Sequence, residues 1–152
     1  MKKNKLLLLG IMLLLVTACS ISKSEISKEE YTKIAENNKL IVVDVLDQFA
    51  GNEEMESATV AASPENWQVE FYVLDSKEAA KKMYNKNKEE FEAISNVKKI
   101  ETNINGTNYE KYTQETKGLY MVLTRVDNTL LYVKAPDNAK EPINEFIKEL
   151  GY

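Results

Sequence analysis

The chain has 152 residues, close to one domain's worth at about 150 residues per domain. Hydrophobic residues make up 43% and charged residues 29%, and five Gly and three Pro are too few for a collagen or linker sequence, so the composition is that of a folded globular protein. There is no histidine and a single cysteine, which excludes Ser-His-Asp and Cys-His catalysis, histidine-ligated metals and any disulfide within the chain.

The N-terminal segment carries an address. Lys2, Lys3 and Lys5 form a basic start, Leu6 to Val16 is an eleven-residue apolar run, and Thr17-Ala18-Cys19 follows. A positive start, a short apolar stretch and small residues at a cut form the layout of a secretory signal. The run is shorter than the roughly 20 apolar residues that span a bilayer core. Val16-Thr17-Ala18-Cys19 resembles the lipobox of bacterial lipoproteins, and the chain resembles the small lipoproteins of Gram-positive bacteria. The resemblance implies that residues 1–18 are removed as a signal peptide. It also implies that the Cys19 thiol carries diacylglycerol, and that the protein sits lipid-anchored on the outer face of the cell membrane, in the envelope. Removing three lysines takes the net charge from −4 to −7. An acidic body argues against nucleic acid, whose binding rests on lysine and arginine neutralising phosphate.

Residues 19–26 read as the lipidated cysteine and a polar tether, and residues 27–152 as one domain. Ser27-Lys28-Glu29-Glu30 fits a capping box opening a short helix that ends at Asn37-Asn38. Leu40 to Leu46 reads as a β-branched strand, Gln48 to Glu56 as an acidic loop, and Ser57 to Ser63 as a weak strand. Trp67, Val69, Phe71 and Val73 alternate with polar residues, the pattern of a half-buried strand. Asp75-Ser76-Lys77-Glu78 opens a helix whose apolar side carries Ala79, Ala80, Met83, Tyr84, Phe91 and Ile94. Val97 to Ile104 and Thr107 to Gln114 flank Asn105-Gly106, a strong hairpin signal. Leu119 to Val126 and Thr129 to Lys134 flank the Asp127-Asn128 turn. A last helix is capped by Asn138, lined by Ile143, Phe146, Ile147 and Leu150, and stopped by Gly151.

From Trp67 the order β-α-β-β-β-β-α, preceded by a short helix and one or two strands, predicts an α+β fold. The expectation is an antiparallel sheet with the helices packed on one face. The order resembles a TATA-binding-protein-like or helix-grip layout, which implies a topology and no activity.

The residue types point to binding before chemistry. No cofactor is implied and no metal site, since the acids Asp44, Asp47, Glu53, Glu54 and Glu56 lack the spacing of a calcium loop and read as a solvated segment. Glu70 and Glu110 could form a carboxylate pair acting on envelope polymers, but only if they converge to about 5–9.5 Å. The only arginine, Arg125, reads as half of a structural ion pair, against bidentate binding of a carboxylate or phosphate. Tyr72, Tyr112, Tyr120 and Tyr132 fall on four strands, and tyrosine suits binding surfaces because it is large and amphipathic. With the all-aliphatic residues turned inward, these four would lie with Glu70 and Lys134 on a sheet face that the helices leave open. The expected function is thus a non-catalytic, membrane-anchored binding or accessory module for a protein, peptide or envelope component. The alternatives are a carboxylate hydrolase and a lipoprotein that self-associates, as a homodimer, through the open face.

Overall fold

The computed structural model describes residues 22–94, 100–116 and 118–152. Val16 to Cys19, expected to be a lipobox, lie outside the described residues, as do part of the strand expected from Val97 and Lys117. The elements in order are α1 (Lys28–Asn37), β1 (Ile41–Asp44), a 3-10 turn (Leu46–Phe49), β2 (Met55–Ser63), β3 (Trp67–Leu74) and α2 (Lys77–Ala93). Then follow β4 (Ile100–Asn105), β5 (Tyr109–Thr116), β6 (Leu119–Val126), β7 (Thr129–Ala135), a 3-10 turn (Asp137–Ala139) and α3 (Lys140–Glu149). The fold is α+β. Its seven strands form one antiparallel sheet ordered β1-β2-β3-β7-β6-β5-β4. No described helix is long and apolar enough to cross a membrane.

Local chemistry sets the boundaries. The Ser27 Oγ accepts the Glu30 N–H and starts α1. The α2 cap is Ser76, one residue later than the Asp75 box, with its Oγ accepting the Ala79 N–H. β1 is shorter than the apolar run around it because the Asp44 carboxylate accepts the Leu46 N–H at 2.9 Å and turns the chain into the 3-10 segment. The β4–β5 hairpin exists, but Asn105 pairs with Glu110 and the Gly106 N–H donates to the Tyr109 carbonyl. Its tip is therefore Thr107-Asn108, two residues past the expected Asn105-Gly106. Asn108 is held there by Lys23 and Asp127. The last helix is likewise not capped by Asn138, which lies in a 3-10 turn; α3 starts after Ala139 with no side-chain cap.

Helices cover both faces of the sheet, not one. On the first face α1 and α3 bury Tyr31, Ala35, Ile143, Phe146 and Ile147 against Val69, Phe71, Val122, Leu131 and Val133. Tyr31 stacks on Phe71 at 4.7 Å, and its hydroxyl donates to the Val69 carbonyl at 2.6 Å. On the second face α2 buries Ala79, Ala80, Tyr84 and Phe91 against Tyr72, Tyr112, Met121, Leu123 and Leu130. Two alanines in the first turns of α2 let that helix lie close to the strands. The sequence pattern suggests one covered face because β3 alternates cleanly. β6 does not: seven of its eight residues are buried, since it sits inside the sheet with a helix layer on each side.

Candidate functional site

A cleft of about 700 Å³ lies between α2 and the second face of the sheet. β3 supplies Glu70 and Tyr72, β7 supplies Tyr132, and the 3-10 turn supplies Phe49. α2 closes the opposite wall with Met83, Lys86 and Glu90, and Lys82 and Glu54 stand at the rim. The alternation of β3 explains the polar side. Phe71 points to the α1/α3 core, so its neighbours Glu70 and Tyr72 must point the other way. Glu70 pairs across the sheet with Tyr132, which places an aromatic ring directly beside the carboxylate.

Glu70 accepts from two neutral donors. The Gln68 amide reaches Oε1 at 2.9 Å, and the Tyr72 hydroxyl donates to Oε2. Neither donor carries charge, and although Lys86 lines the same cleft, Glu70 makes no ion pair among the described residues. Lys82 is engaged elsewhere, with Glu54 at 3.3 Å. The rings form walls around the carboxylate: Phe49 meets Tyr72 edge-on at 5.5 Å, and Phe91 backs Tyr132 at 5.1 Å. Burial pushes the Tyr72 phenol well above its ordinary range, and the hydrogen bond and charge of Glu70 push it further. Burial also raises Tyr132, with Glu70 and Glu90 adding to it. These phenols stay neutral, and a neutral ring face attracts a cation.

Three of the expected site residues, Glu70, Tyr72 and Tyr132, do come together. The exposed tyrosine face does not form. Tyr72, Tyr112 and Tyr120 are 5%, 2% and 4% exposed, and only Tyr132 is half-open. Tyr112 lies under α2, its hydroxyl bonding Glu101 at 2.7 Å and the Gln114 side chain at 2.8 Å. Tyr120 lies on the other face and donates to Asn144 of α3 at 2.6 Å. Lys134 is exposed and away from the cleft lining. The reason is register. Leu123 pairs with Tyr132 and Val122 with Val133, so the aliphatic residues divide between the two faces and do not collect on one.

Glu110 accepts from the Arg125 Nε at 2.7 Å, and an Arg125 terminal nitrogen donates to the Asp127 carbonyl at 2.9 Å. Arg125 is thus the structural partner expected of it. Glu70 and Glu110 do not converge: their strands are three spacings apart, about 14 Å. Two acids of the 44–56 segment are used singly, Asp44 with Lys28 and Glu54 with Lys82. The Lys28 ammonium, helped by the Leu46 N–H, holds the Asp44 carboxyl below its usual range. Sequence reading missed Phe49, Met83 and Glu90 as cleft residues. Phe49, the lone aromatic in an acidic stretch, was the available signal. Neither the family models, the curated proteins nor the solved structures contain a match to this chain.

Proposed function

We propose that this chain is a lipid-anchored extracytoplasmic lipoprotein. In this reading its domain is a non-catalytic binding module for a protein, peptide or envelope component, and its α2–sheet cleft takes a cationic group of that partner. The observation that carries the cleft reading is the Glu70 carboxylate, which among the described residues accepts from the neutral donors Gln68 and Tyr72 and is flanked by the rings of Tyr72 and Tyr132. An ammonium or guanidinium entering there gains a carboxylate that makes no ion pair among the described residues, and aromatic faces, each ring worth about 0.5–2 kcal/mol. The anchor reading rests on Val16-Thr17-Ala18-Cys19. The two acyl chains of a diacylglyceryl thioether provide the two lipid signals that stable anchoring needs.

Two experiments test it. Cys19→Ala should release the protein from the membrane fraction into the medium, and unchanged membrane retention would remove the anchor reading. The full-length chain in detergent, titrated with tetramethylammonium and with a lysine tripeptide, should show saturable binding that Glu70→Gln weakens at least tenfold. Equal binding by the variant, or no saturable binding by the native chain, would remove the cleft reading.

A further inference from the structure

A second feature lies outside the cleft, on strand β1 at one end of the sheet. β1 pairs with β2 and has no neighbour on its other side among the described residues. The Val45 N–H bonds the Ala58 carbonyl, so in this antiparallel ladder the odd-numbered residues point their backbone groups toward β2. The N–H and C=O of Val42 and Asp44 therefore point outward. Ile41 and Val43 are 64% and 48% exposed, the two most open apolar side chains of the described sheet apart from Ile100. Their register, Ile41 beside Ala62 and Val43 beside Val60 and Glu70, puts them on the same face as the cleft, where α2 no longer covers the strands. Sheet edges are ordinarily blunted by lysine, proline, a bulge or a covering loop. β1 is short, at four residues ending in Asp44, but Ile41-Val42-Val43 carries no lysine, proline or bulge, whereas the opposite edge, β4, presents Glu101, Thr102 and Asn103 after Ile100.

We propose that the free edge of β1 is a strand-addition site for an extended, basic segment of a partner protein. Backbone pairing to Val42 and Asp44 supplies the affinity, and alternate apolar side chains of the segment cover Ile41 and Val43. The charge of the segment follows from the surroundings. Asp44 and Glu54 are already paired with Lys28 and Lys82, but Asp47, Glu53 and Glu56 on the chain leaving β1 have no ion-pair partner among the described residues, so a cationic segment is favoured and an acidic one repelled. The start of the lipidated chain is not the occupant. Lys23 is fixed to Asn108 at the β5 end, five strand spacings or about 24 Å from β1, and Cys19 to Ser22 span at most about 14 Å. A second copy paired antiparallel through β1 is the competing occupant, and it would show as a dimer in sedimentation.

The test uses the full-length chain in detergent, the ten-residue peptide (Lys-Val)5, its acidic counterpart (Glu-Val)5, and (Lys-Val)5 with proline at its two central positions, the fifth and sixth, which removes an N–H from each side of the strand. Amide hydrogen exchange is read at Val42 and Asp44. (Lys-Val)5 should bind saturably and slow exchange at both amides at least tenfold, while the acidic and proline peptides do neither. Ile41→Lys/Val43→Lys changes two exposed side chains, should leave the melting temperature unchanged, and should weaken (Lys-Val)5 binding at least tenfold. Binding without protection at Val42 and Asp44 would overturn the proposal. So would equal binding by the acidic peptide, or protection of those amides in the free chain together with a dimer in sedimentation. Glu70→Gln should not affect this binding, which separates its failure from that of the cleft reading.

Discussion

The two faces of the sheet carry four tyrosines each and use them differently. Tyr31, Tyr109, Tyr120 and Tyr152 lie on the α1/α3 face, and Tyr72, Tyr84, Tyr112 and Tyr132 on the α2 face. On the first, the hydroxyls of Tyr31, Tyr120 and Tyr152 meet a carbonyl, an amide and a threonine, and the rings stack into an apolar core. On the second, Tyr72 and Tyr112 donate to the carboxylates of Glu70 and Glu101, the Arg125–Glu110 ion pair is buried, and the layer opens into a cleft. One face is built for cohesion. The other spends stability on charge near the sheet, a common accompaniment of a binding site.

Alkali should break both faces at once. All eight tyrosines have phenol pKa values raised, chiefly by burial, with Tyr152 pushed up to about 12. The folded chain favours the neutral phenol, whereas an unfolded phenol ionises near about 10. The contribution to stability is thus whole below pH of about 10 and is lost as the pH rises above it. A titration followed by the tyrosinate absorbance should show no ordinary tyrosine step. It should show one cooperative rise coinciding with loss of the near-ultraviolet circular dichroism signal, and a separate early step would contradict the burial.

Substitutions on the two faces sharpen the contrast. Phe71→Ala cuts into the first face, where the ring is fully buried, and should cost about 3–5 kcal/mol by urea unfolding. Arg125→Met on the second face leaves Glu110 with a buried uncompensated charge and should cost about 3 kcal/mol. Arg125→Met/Glu110→Leu should recover most of that loss, and a double-mutant cycle measures the coupling. Tyr72→Phe removes the donor to Glu70 and should cost about 1 kcal/mol. Tyr84→Phe should change stability by less than about 0.5 kcal/mol, because the buried Tyr84 hydroxyl has no partner to lose among the described residues. If the two tyrosine substitutions cost the same, the carboxylate bond is not what distinguishes them.

The local code was legible in the sequence. Alternation from Trp67 to Val73, the Ser27 cap, the apolar stripe of α2 and the Asp127-Asn128 turn each predict an element that forms, because each depends on residues within a few positions of one another. Part of the candidate site was legible for the same reason: Glu70 and Tyr72 turning away from Phe71 follows from the alternation of β3 alone. What β6 and β7 would do was not. Both are apolar on both sides, so their periodicity does not say which side meets which helix. Only the pairing of Leu123 with Tyr132 sends Tyr120 to one face and Tyr112 and Tyr132 to the other. The second helical layer, the cleft beneath it and the bare edge of β1 are likewise long-range outcomes. They depend on strand order and on how far α2 reaches, and neither is encoded in a window of neighbouring residues.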